Sequence, residues 1–198
     1  DAEDSVRRNY ELLGASLGFD PAGLVFSHQV HKAGVRVAAA QDRRGPYDPI
    51  PYEADGLVTA ETDLPLIIFT ADCAPILLHD PVRGAIGAVH AGWRGTVKDI
   101  AGAAVRKMTL RFSCRPADIR AAIGPCISSC CFETGDDVRA AVGRILGDEE
   151  ASRYAAPRGS KFMVDLKGIN ALLLGRAGLR RENIVVSPEC TSCRSDKY

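Results

Sequence analysis

At 198 residues and 46% hydrophobic content the chain is long enough to bury a sizeable core, so the expectation is one domain spanning residues 1–198. Twenty-five Lys and Arg balance twenty-five Asp and Glu, which excludes an overall field that would draw the protein to nucleic acid or to an anionic membrane. No apolar run approaches the roughly 20 residues that cross a bilayer, and no signal-peptide core is present, so the expected compartment is the cytoplasm.

In chain order, Asp4 or Ser5 is placed to cap a first helix with apolar positions Val6, Leu12, Leu13 and Leu17, ended by Gly18. Short β-rich runs follow at Leu24 to Val30, Val35 to Ala40, Gly56 to Ala60, Leu66 to Thr70, Ile76 to Leu78 and Ala85 to His90. Thr96 with Asp99 reads as a capping box ahead of a helical stripe of Val97, Ile100, Ala104, Val105 and Met108 that ends near Phe112. A strand at Arg120 to Ile123, a helix from Asp137 to Leu146, a loop near Pro157, a helix from Lys167 to Ala177 and a strand at Ile184 to Ser187 complete the pattern. Strands first and helices mostly later predict an α+β layered sandwich with a mixed β-sheet.

Three strand ends carry the candidate chemistry. Gln29-Val30-His31 closes one run, and strand alternation puts Gln29 and His31 on one face. Thr70-Ala71-Asp72-Cys73 closes an apolar run in a polar turn, a common place to present a functional side chain. Ala88-Val89-His90-Ala91-Gly92-Trp93-Arg94-Gly95 leaves a strand through glycines that allow close backbone approach, ahead of a helix start that favours an anion. Two imidazoles and a thiolate suit zinc, and three protein ligands leave a fourth position for water or substrate. The spacing is not local, so structural readings stay open: Cys73 as a small buried hydrophobe, His31 and His90 as hydrogen-bonded strand-end residues, Arg94 as a surface residue.

Seven cysteines, an odd number, argue against a complete disulfide framework and for thiols that are buried, metal-bound or reactive. Cys190-Thr191-Ser192-Cys193 has CxxC spacing without a second CxxC and reads as a structural pair. The thiol-rich turn from Gly124 to Cys131 reads as loop architecture, since adjacent cysteines do not easily share one tetrahedral ion. Asp165 reads as a helix cap and His79 as structural.

Together Gln29-Val30-His31, Thr70 to Cys73, His90 to Gly95, Ile123-Gly124-Pro125-Cys126-Ile127, Asp165-Leu166-Lys167 and the Cys190 to Cys193 segment resemble the laccase-domain family, also called the polyphenol oxidase or bacterial purine nucleoside phosphorylase family. The resemblance covers essentially the whole chain in order. It implies a single α/β/β/α domain related to toxin deamidases, with zinc held by His31, Cys73 and His90. It also implies family segments ahead of the first helix and beyond the last cysteine, so the expectation is either that those segments lie outside this sequence or that this is a shortened member.

The activities so implied are phosphorolysis of adenosine, inosine, guanosine and methylthioadenosine, and deamination of adenosine. The partners are then a small purine nucleoside and phosphate. Asp72 is the expected proton carrier in deamination, Arg94 with the following helix start the expected phosphate site in phosphorolysis, and Gln29 an expected substrate contact. Four histidines cannot furnish both copper centres of a blue multicopper oxidase, although copper can occupy a His₂Cys set and support weak phenol oxidation. The alternatives are a cysteine hydrolase or amidase with Cys73 as nucleophile and His90 as base, which could act in peptidoglycan editing, and a binding module whose cysteines are core residues.

Overall fold

Residues 3–198 are described by the structure, a computed structural model. Its frame is a six-stranded mixed sheet in the order β1 (Val35–Val37), β2 (Gly56–Thr59), β4 (Ala85–Ala91), β3 (Ala74–Asp80), β5 (Arg120–Ile123), β9 (Ile184–Val186). The inner pairs are antiparallel, while β1 pairs β2 and β9 pairs β5 in parallel. Alternation in β3 sends Ala74, Ile76, Leu78 and Asp80 inward and Leu77 and His79 outward, as a sheet covered on one face requires.

The covering elements on that face are α3 (Ile100–Phe112) and α6 (Leu166–Arg176). Ile100, Ala104, Val105 and Met108 of α3 are buried with Ile76, Leu78 and Val89 of the sheet, and each large side chain so buried stabilises the fold by about 1.5–3 kcal/mol. A smaller sheet, β6 (Glu133–Thr134), β8 (Lys161–Val164) and β7 (Ala155–Arg158), packs with α4 (Asp136–Leu146) and α5 (Asp148–Tyr154) around a second core. Trp93 and Phe132 pack against both cores, which makes the interior continuous. No helix of the described residues is long and apolar enough to cross a membrane.

Several elements differ from the sequence reading. Helix α1 (Glu3–Leu17) forms, with Asp4 and Ser5 inside its first turn, but Leu12, Leu13 and Leu17 are exposed and only Gly14 is buried. The runs Leu24 to Val30 and Leu66 to Thr70 are irregular and meet the rest through single bridges, Val25 with Leu66 among them. Asp99, not Thr96, caps α3: its carboxylate accepts from Gly102 N–H, whereas Thr96 ends the short helix α2 (Trp93–Thr96) and accepts a hydrogen bond from buried Asn170. The expected loop near Pro157 is the β7–β8 hairpin. Asp165 caps α6 through Gly168 N–H.

Candidate metal centre

One end of the three central strands carries the donors. In the β3–β4 register Ala74 faces Ala91 and Pro75 faces His90, so Cys73, just ahead of β3, and His90, near the end of β4, reach the same sheet end. His31 arrives from the loop ahead of β1. The donor atoms of His31, Cys73 and His90 all lie within 4.8 Å of one another, with His90 buried, Cys73 half-buried and His31 exposed. The two imidazoles meet edge to face, 4.7 Å between centroids.

Asp55 holds this arrangement together, and nothing in its local sequence marks it. Fully buried ahead of β2, its carboxylate accepts from His31 N–H at 2.9 Å, Lys32 N–H at 2.8 Å and Val30 N–H at 3.4 Å. The same carboxylate lies 3.0 Å from His90 Nδ1; since an ionised carboxylate only accepts, Nδ1–H donates to it and Nε2 is the nitrogen left to bind a metal. Three N–H groups converging on one carboxylate bend the loop so that His31 takes a left-handed backbone, φ 56°. That breaks the alternation expected for Gln29-Val30-His31. Sequence reasoning missed Asp55, because only the fold brings it to His90.

Gly92 closes the other side. A Cβ there would sit 2.9 Å from Cys73 Sγ and 3.3 Å from His31 Cδ2, so the residue has to lack a side chain for the donors to approach. Gly95 similarly lets the chain pass Lys32 O, which a Cβ would meet at 2.9 Å.

The donor set fits a borderline-soft divalent ion such as zinc. Burial, followed by the charges of Asp72 and Asp55, pushes the Cys73 thiol up, so a cation is what would make its thiolate favourable. Cys114 and Cys126 are pushed up to about 12, each chiefly by burial, and are inert core thiols.

The remaining expected residues are placed as follows. Asp72 is exposed beside Cys73, and Thr191 Oγ1 donates to its Oδ1 at 2.6 Å. Arg94 is exposed two residues beyond Gly92, its guanidinium 4.4 Å from the Trp93 ring centroid. The helix start that follows is not an open anion site, because the Asp99 carboxylate already occupies the α3 N-terminus. Gln29 is committed to the backbone: its amide donates to Phe69 O at 2.8 Å and accepts from Phe69 N–H at 2.7 Å. It lashes the 66–70 segment to the His31 loop and has no amide edge left for a ligand along those directions.

The family model described as "Multi-copper polyphenol oxidoreductase laccase" matches residues 1–198. The chain belongs to this family. Among members of this laccase-like family, the chain is 35% identical over 196 residues to a Bacillus subtilis protein named purine nucleoside phosphorylase YlmD, covering 96% of this chain and 69% of that one. It is 36% identical over 191 residues to adenosine deaminase RL5 from an unknown prokaryotic organism, covering 94% and 72%. The crystal structure of YlmD from Geobacillus stearothermophilus superposes with a TM-score of 0.93 at 34% identity, covering 99% of this chain and 74% of that one.

Proposed function

We propose that the chain is a zinc-dependent purine nucleoside phosphorylase that also deaminates adenosine, both at the His31, Cys73 and His90 centre. The observation that carries this reading is the convergence of three donors around a buried carboxylate, the ligand count of a catalytic rather than a structural zinc site. The relatives' names, phosphorylase and deaminase, supply the substrate class.

Zinc held there supplies a positive charge that polarises an oxygen of substrate or water. Asp55 keeps His90 in the tautomer and orientation that donation needs. In phosphorolysis the C1′–N9 bond breaks with its electron pair leaving on the purine, a phosphate oxygen bonds C1′, and the base takes up a proton. Asp72, adjacent to Cys73 and steadied by Thr191, is the residue assigned to carry that proton. Arg94, the nearest exposed guanidinium in the sequence, is assigned to phosphate, where a planar fork matches two oxygens. Gln29 acts by holding Phe69 rather than by touching substrate.

Metal-quantified protein is incubated with adenosine, with and without phosphate, and adenine, ribose 1-phosphate and inosine are separated by chromatography. Phosphate-dependent adenine, lost in His31→Ala and Cys73→Ala, is the expected result, with inosine forming without phosphate. A folded, zinc-loaded sample that yields neither product overturns the assignment. The hydrolase reading predicts instead fast alkylation of Cys73, which zinc ligation would suppress.

A further inference from the structure

The CxxC pair near the end of the chain and the thiol-rich turn after β5 lie sixty residues apart in sequence but meet in the fold. A main-chain tie joins them: a parallel bridge between Cys126 and Cys190 that includes a hydrogen bond from Thr191 N–H to Cys126 O at 3.2 Å. The incoming strand is tethered as well, since buried Lys167 donates Nζ to Ser187 O at 2.9 Å and Glu189 O at 2.8 Å. On the other side the turn from Ser128 closes on itself, with Cys131 and Phe132 N–H both donating to Ser128 O. Contrary to the expectation that adjacent cysteines do not converge, that curl brings the sulfurs of Cys130 and Cys131 to 3.5 and 3.3 Å from Cys193 Sγ. The sulfurs of Cys130, Cys131, Cys190 and Cys193 all lie within 4.8 Å of one another.

These separations suit a shared ion better than a covalent pairing. A disulfide needs about 2.05 Å between sulfurs. A tetrahedral ion with bonds of about 2.3 Å sets its four sulfurs roughly 3.8 Å apart. Ser128 N–H donates to Cys190 Sγ at 3.3 Å, a main-chain bond of the kind that steadies ligand thiolates.

We propose that Cys130, Cys131, Cys190 and Cys193 form a second zinc site, closed by four thiolates and structural in role. Zinc bound there staples the 187–193 segment to the turn after β5. Because Thr191, between two of the ligands, donates to Asp72, the staple also sets the position of the residue next to Cys73. The inference of this site does not rest on the proposed activity, although its staple supports Asp72 beside that centre.

The test uses the full chain prepared under reducing conditions, loaded with zinc and desalted, with bound metal counted by native mass spectrometry and elemental analysis. Two zinc ions per chain are expected, falling to one in Cys131→Ser and in Cys193→Ser, and to one in His31→Ala. Cobalt loaded into the His31→Ala chain should show strong thiolate-to-cobalt charge-transfer absorption. The exposed Cys130 and Cys193 should resist iodoacetamide until a chelator is added. A wild-type chain that holds one zinc while both of those thiols alkylate freely, or that forms a disulfide among the four, overturns the proposal whether or not the variants fold. A wild-type chain with two zinc ions but no nucleoside activity would sink the functional reading and leave this site standing.

Discussion

The two sulfur-bearing clusters of this protein are built on opposite plans. His31, Cys73 and His90 offer three donors at the end of a sheet, and much of the second layer is one buried carboxylate, Asp55, that fixes both a loop and a ring. Cys130, Cys131, Cys190 and Cys193 offer four thiols from two loops, and what lies behind them is main chain. Three donors leave an open position for chemistry, whereas four thiols from two loops would complete a coordination shell and staple those loops together. The difference teaches that donor count, more than donor type, separates a reactive centre from a staple.

The sharpest way to break that comparison is Asp55→Asn. An amide cannot accept from all the groups that Asp55 serves, so zinc affinity at the three-donor centre should fall about 10–100-fold, measured by competition with a chelator, while the four-thiol cluster keeps its metal. Equal weakening of both sites would mean that Asp55 stabilises the whole fold rather than one centre.

Lys167→Met should act in the opposite sense. Each hydrogen bond lost from a buried ammonium costs about 1.5–3 kcal/mol, and at about 2–4 °C per kcal/mol for a chain of this size the melting temperature should drop by several degrees or more. The effect should shrink when chelator has already emptied the thiol cluster, because the same 187–190 segment is then loose; an unchanged effect would uncouple Lys167 from the cluster.

Gly92→Ala is the smallest expected perturbation. Its backbone, φ −68°, accepts alanine without strain, so the cost is the methyl group against Cys73 Sγ and His31 Cδ2. Zinc affinity at the three-donor centre should fall several-fold, about 1 kcal/mol, with no change in far-ultraviolet circular dichroism. An unaltered affinity would show that the donors have slack.

Much of the frame was legible in the sequence because local chemistry dictates it. The β3 and β4 alternation, the β5 and β9 runs, the α4 and α6 helices and the Asp165 cap follow from period and capping residues. The failures have a common cause. Leu24 to Val30 and Leu66 to Thr70 are apolar enough for strands, yet they pair with each other only through the single Val25–Leu66 bridge, and Gln29 adds a side-chain link through Phe69. Thr96 was drawn away from capping by Asn170, a residue seventy-four positions later. The apolar side of α1 is a helical stripe in the sequence but packs on little among the described residues.

The sequence by itself determined which side chains could serve as donors, and that a mixed sheet with helices would carry them, because those properties reside in residue type and short-range period. The family resemblance had already grouped His31, Cys73 and His90; the supporting carboxylate and the thiol cluster were decided by the tertiary structure. The partner of His90 comes from Asp55 and that of Cys193 from Cys130 and Cys131, thirty-five and more than sixty residues away. Such contacts are set by strand order and chain closure, and no local preference encodes them.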